Sequence, residues 1–353
     1  MDTKADSACC GKRWKKIPYP ILLILLSLGL IVLFLVSLAL GRYRLEIGQI
    51  VNILLSRAFD ISPTWAPMAE VVVFQIRLPR IIASMLIGAA LATAGATYQG
   101  MFRNPMVSPD FLGVTSGASI GAALAIILGL SFAVVQVFAF VFGITAVLIT
   151  TSIPKLLRNS SITILILSGI VVSGLFRSVM SIMRYVADPD TALPSIVFWQ
   201  MGSLSTVSIR EVMYVSLPMI LCLIVLVRLA WWVNIMALGE IQSTLVGVNY
   251  KLYRRVGIVA STLLAVFSVS IAGEVGWVGL AVPHLSRLLV GVDNKKTMPV
   301  CILAGAIFLL LVDTLARNIS TAEIPLSVLT GFIGAPFFIA LIFKQRATIG
   351  SNL

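Results

Sequence analysis

Residues Arg77–Gly113, RLPRIIASMLIGAALATAGATYQGMFRNPMVSPDFLG, decide how this chain is read. Two arginines flank a proline, an apolar run dense in Gly, Ala, Ser and Thr follows, and the stretch ends in a turn-rich passage from Asn104 to Asp110. At about 1.5 Å per residue the apolar run is long enough to cross a bilayer. Its small residues suit close contact with other helices in lipid, where packing replaces the hydrophobic effect.

The rest of the chain repeats that theme. Of 353 residues, 59% are hydrophobic and 11% charged, against about a quarter charged in soluble domains. Apolar runs of span length recur, with charges confined mostly to the gaps. This predicts an all-α polytopic membrane protein with about ten spans: 18–40, 80–101, 114–130, 132–153, 162–183, 212–232, 256–272, 275–290, 298–316 and 325–343. Ile47–Leu55 reads as a short interfacial helix, and 188–207 as a re-entrant element allowed at membrane depth only under cover of protein or water. The whole is one membrane domain over 18–346, between a basic tail, 1–17, and a short tail, 347–353. With this span count every lysine falls on one side, which predicts that both termini are cytosolic.

The net charge of +12 punctuates hydrophobic spans rather than clustering on a soluble face, so no nucleic-acid partner is expected. Cys9, Cys10, Cys222 and Cys301 show neither disulfide framework nor zinc spacing. One histidine and scattered carboxylates make no metal-ligand set, and no nucleotide-binding motif is present. Gly117-Ala-Ser119-Ile-Gly121 matches a nucleophile pattern, with His284 as a base, but lacks the strand–turn–helix setting and reads better as helix packing. Glu274 and Asp313 are the carboxylates closest to mid-span; helix-pair hydrogen bonding is favoured over proton coupling for both. Ala237–Val248 is a moderately apolar helix-turn between spans, with Gly247 as a left-handed cap. By spacing alone it is either an ordinary loop or an element that inserts into a partner's groove, with Glu240 offered to an arginine there.

Arg77, Arg80 and Arg317 fall at the opposite, external ends of spans. A planar guanidinium fork suits pairing with a protein carboxylate, so these arginines are expected to form basic patches that dock a partner protein's glutamates rather than head-group anchors.

Several long motifs, in order, carry a resemblance: RLPR at 77–80, GAALATAG with NPMVSPDFLGV, ALGE…LVGV, GEVGWVGLAVPHLSR at 273–287, and LARN…AEIPLSVLTGFIGAPFF from 315 to 338. The chain resembles the FecCD/BtuC family, the permease subunits of ABC importers for iron-siderophores, haem and cobalamin, with oxyanion importers among its members. The resemblance implies a non-enzymatic, cofactor-free subunit in a prokaryotic cell membrane. It implies a homodimer, or a pair with a related permease, served by two copies of a separate ATPase and one external binding protein. It also implies residue roles: Leu238, Gly239, Glu240 and Gly247 in ATPase coupling, Asn104, Pro105 and Met106 in a cytosolic gate, and Pro283, His284 and Arg287 in a structural motif near the inner face.

Overall fold

The computed structural model describes residues 17–350 apart from 58, 60, 61, 63, 64 and 160, with side chains up to residue 339. The basic tail with Cys9 and Cys10, and residues 351–353, lie outside the described residues.

Among the described residues all regular structure is helical: α1 (Tyr19–Ala39), α2 (Ile47–Leu55), α3 (Pro67–Val71), a π-helical segment (Val72–Arg77), α4 (Leu78–Phe102), a 3-10 turn (Pro109–Leu112), α5 (Val114–Ile127), α6 (Phe132–Leu156), α7 (Ile162–Val186), α8 (Ala192–Met201), α9 (Ile209–Met236), α10 (Glu240–Leu245), α11 (Tyr250–Ala272), α12 (Val278–Val290), α13 (Asn294–Asn318) and α14 (Leu326–Gly350). Each of the ten expected spans coincides with a helix. Among the described residues seven helical stretches are long and apolar enough to cross a membrane; α5, α8, α12 and α14 to Ile339 are shorter apolar helices.

The opening stretch is the centre of the molecule. The helix through Pro67–Phe102 buries 83% of its apolar window, whereas α7 buries 22% and α1 17%. Its small residues are the cause. A Cβ on Gly88 would collide with the Gly305 carbonyl of α13, and one on Gly95 with the Gly279 carbonyl of α12. Backbone-to-backbone approach of this kind replaces side-chain bulk in helix association in lipid. Gly117 and Gly121 do the same for α5 against the Phe142 and Phe138 carbonyls of α6, which accounts for their spacing as packing.

α5 has 14 residues and α12 has 13, so each reaches only about 20 Å, short of a hydrocarbon core about 30 Å thick. Both are preceded by chain that is not α-helical. Before α5, residues 103–113 turn back, opening with Arg103 at φ 52 and closing with Gly113 at φ 82. The Thr150 hydroxyl of α6 donates to the Leu112 carbonyl at 3.0 Å. Before α12, the break at 273–277 carries Gly273 at φ 69 and Trp277 at φ 68. A left-handed tryptophan is costly, and such strain persists only where its surroundings over-determine it. Here the Trp277 indole lies over Gly334 of α14, where a Cβ would fall 2.6 Å from the Trp277 Cβ.

Candidate functional site: the two ends and the polar cavity between helices

At the C-terminal end of α4, the Arg103 guanidinium donates from Nε to the Ala237 carbonyl at the end of α9. Asn234 donates to Asp293 at 2.7 Å and accepts from the Asn294 backbone at 2.9 Å. One end of the bundle therefore gathers the α4 C-terminus, the α9–α11 loop and the α12–α13 turn, together with Lys251, Lys295 and Lys296. Within that loop, α10 is short because two glycines bracket it: Gly239 at φ 106 and Gly247 at φ 83. The Ser243 hydroxyl donates to the carbonyls of Ile235 and Gly239 at 2.9 and 2.6 Å, holding α10 on α9. The outward face stays bare, with Ile241 74% and Leu245 82% exposed beside exposed Leu238 and Val246, and Glu240 is exposed at the helix start. An exposed apolar cluster of this size at a polar end is a candidate protein contact.

Arg103 runs directly into the Asn104–Pro105–Met106 turn. Asn104 Oδ1 accepts from the Met106 backbone at 2.9 Å, closing an Asx turn, and Met106 is exposed. It lines a cavity of about 280 Å³ with Pro109, Phe111 and Trp277. The two segments expected to serve as gate and coupling element are thus joined through one side chain that sequence reading did not single out. Arg103 closes an apolar run and looks like any span-end cation; only the fold brings Ala237 to it.

Pro283, His284 and Arg287 lie on α12, which continues through Pro283. Arg287 donates to Gln99 Oε1 and, at 3.3 Å, to the Ala96 carbonyl of α4; Gln99 in turn donates to the Gly279 carbonyl at 3.3 Å. His284 meets Phe338 of α14 edge-on at 6.1 Å. All three side chains face helix neighbours within the subunit.

At the opposite end the span-end arginines are buried. Arg77, Arg80 and Arg317 do come together, but as a buried network with only 3%, 6% and 9% exposure, not as open patches. Arg80 bonds Asp313 at 2.8 Å through Nε and Glu323 at 2.8 and 2.9 Å through Nη1. Arg77 donates to the Leu38, Ala39 and Tyr43 carbonyls. Arg317 donates to the Ser37 carbonyl at 2.7 Å and to its hydroxyl. Arg80 uses its fork on carboxylates of this same chain, while Arg77 and Arg317 donate to carbonyls at the end of α1 and just beyond it. Asp313, one of the two mid-span acids, is likewise consumed in helix-pair bonding. Exposed cations at this end include Arg42, Arg44, Arg57, Arg184 and Arg210; Arg42 donates to the Thr321 carbonyl and Arg57 pairs with Glu70 at 3.1 Å.

Between the ends, α5, α7, α8 and the 273–277 break enclose a polar cavity of about 560 Å³, lined by Asp110, Thr115, Ser119, Arg177, Arg184, Gln200 and Glu274 among others.

The fold is a helical membrane bundle with two broken spans, an apolar knob at one end and a polar cavity between its helices. The sequence profile of the FecCD transport family matches residues 29–344, and the chain belongs to that family: it is an ABC importer permease. It is 40% identical to the molybdate import system permease protein MolB of Haemophilus influenzae, over 93% of this chain and 97% of that one. It is 33% identical to the vitamin B12 import system permease protein BtuC of Shigella boydii, over 92% and 95%. A solved structure described as an inward-facing conformation of a metal-chelate type ABC transporter superimposes with TM-score 0.83 at 39% identity, covering 92% of this chain and all of that one. Permeases of this family work with an ATPase and a binding protein, and the chain is a multi-pass membrane protein.

Proposed function

We propose that this chain, paired with a second copy or a closely related permease in a prokaryotic inner or plasma membrane, forms the path by which a metal-containing solute enters the cell. An external binding protein delivers the solute, and two ATPase subunits drive its passage. The α10 knob joined through Arg103 to the Asn104–Met106 turn is the observation that carries the reading: a load on Leu238, Ile241 and Leu245 reaches a segment of broken backbone directly. ATPase docking at α10, around Glu240 and Gly247, therefore moves the gate turn, and both termini lie on that cytosolic side. The binding protein meets the other end. There Arg42 and Arg44 offer exposed charge, and a partner carboxylate would have to compete with Asp313 and Glu323 for Arg80.

The solute class is an iron chelate of the siderophore type or a metal oxyanion such as molybdate. Relatives named for both chemistries, at 36% and 40% identity, support it. Proteoliposomes holding the permease, its ATPase and its binding protein are expected to accumulate radiolabelled iron chelate or molybdate only with ATP. Uptake that follows a proton or sodium gradient without ATP would overturn the reading.

A further inference from the structure

The α7 helix carries Ser173, Arg177, Ser181 and Arg184 on one face, at spacings of four and seven residues that align along a helix. All four line the polar cavity with Thr115, Ser119 and Gln200. Arg177 lies nine residues from the Val186 end, roughly 14 Å along the axis, and is exposed. An intramembrane arginine faces water or a counter-charge, yet among the described residues neither Arg177 nor Arg184 forms a salt bridge. Arg184 rests on the Gln200 side-chain carbonyl, a neutral partner. This contrasts with the buried network around Arg80, which pairs with the carboxylates of Asp313 and Glu323.

Resting on the permease reading above, we propose that this cavity is a transit site for an anionic solute, with Arg184 and Arg177 as successive contacts. Guanidinium forks about 10 Å apart along α7 match the oxygens of an oxyanion or of a carboxylate-bearing metal chelate. Two carboxylates face them: Asp110, which accepts the Thr115 hydroxyl, and Glu274 from the 273–277 break. These carboxylates offset part of the arginines' attraction, so an anion is drawn in without being trapped. A conducting site needs that weak binding.

The test uses the full-length permease in detergent, with Ser181→Cys as a reporter in the cavity and the parent chain as background. Rates of modification by an anionic sulfonatoethyl and a cationic trimethylammonioethyl methanethiosulfonate are each normalised to their reaction with free thiol. The anionic reagent should be favoured, and Arg177→Gln with Arg184→Gln should lower the anion-to-cation ratio on the order of tenfold, while the paired Lys substitutions should keep it. Sodium molybdate or ferric citrate should slow labelling and choline chloride should not. Protection by molybdate alone marks a small oxyanion, by ferric citrate alone a bulky chelate, and by both an anion selected by charge. Ser173→Cys serves as reporter if the first variant does not fold. A ratio indifferent to the arginines, or protection by neither anion, overturns the proposal. Because no ATPase is involved, this result is independent of whether uptake proves to be ATP-driven.

Discussion

At the residue scale, burial decides what a charge does. Arg80, with its side chain 7% exposed between Asp313 and Glu323, cannot be reversed as a surface residue could. Removing one partner of a buried pair costs about 3–5 kcal/mol. Arg80→Glu is therefore expected to lower the thermal midpoint sharply in scanning fluorimetry, whereas Arg44→Glu at the exposed surface should leave it unchanged. Equal midpoints would mean that the network contributes nothing. Asp188 shows the exposed counterpart. The Thr191 hydroxyl and the Asp190 and Thr191 backbone N–H groups donate to its carboxylate at 2.9–3.0 Å and hold it below the ordinary carboxylate range. A depressed folded value stabilises at pH above the unfolded one and is lost as pH falls through the folded one. The turn entering α8 should therefore stay protected from hydrogen exchange, after correction for intrinsic rates, until pH drops below about 4. Loosening between pH 5 and 6 would assign the turn to another group.

At the scale of the element, one side chain links the turn after α4 to the start of the α9–α11 loop. Arg103→Ala removes the link from the gate turn to Ala237 while leaving the α10 knob intact. ATPase co-purification should persist and ATP-driven uptake should fall at least tenfold; unchanged uptake would show that the two segments move independently. Gly247→Arg acts on the other side of the link. At φ 83 with open space around it, the position tolerates bulk but loses left-handed freedom at a cost of order 1 kcal/mol. It also sets a charge beside the knob. Here co-purification of the ATPase should drop, and undiminished co-purification would place docking elsewhere.

For the whole molecule, an importer permease with no nucleotide motif should not hydrolyse ATP by itself, and activity in a purified preparation free of its ATPase would contradict that. Much was legible in the sequence because lipid imposes one-dimensional rules. A span must be apolar for about twenty residues and must satisfy its own backbone, so the ten helices, the central small-residue helix and the Gly247 cap could be read from composition and local chemistry. Long ordered motifs carried the family. What only the tertiary structure decided was partnership. Arg77, Arg80 and Arg317 read as span-end cations until Ser37, Asp313 and Glu323, up to 280 positions away in sequence, are folded against them. Likewise, the 103–113 and 273–277 breaks line one cavity only when packed beside α5 and α7. Charge sign and helix length are properties of a segment, whereas burial and counter-charge are properties of a contact, and contacts between distant segments exist only after the helices have assembled.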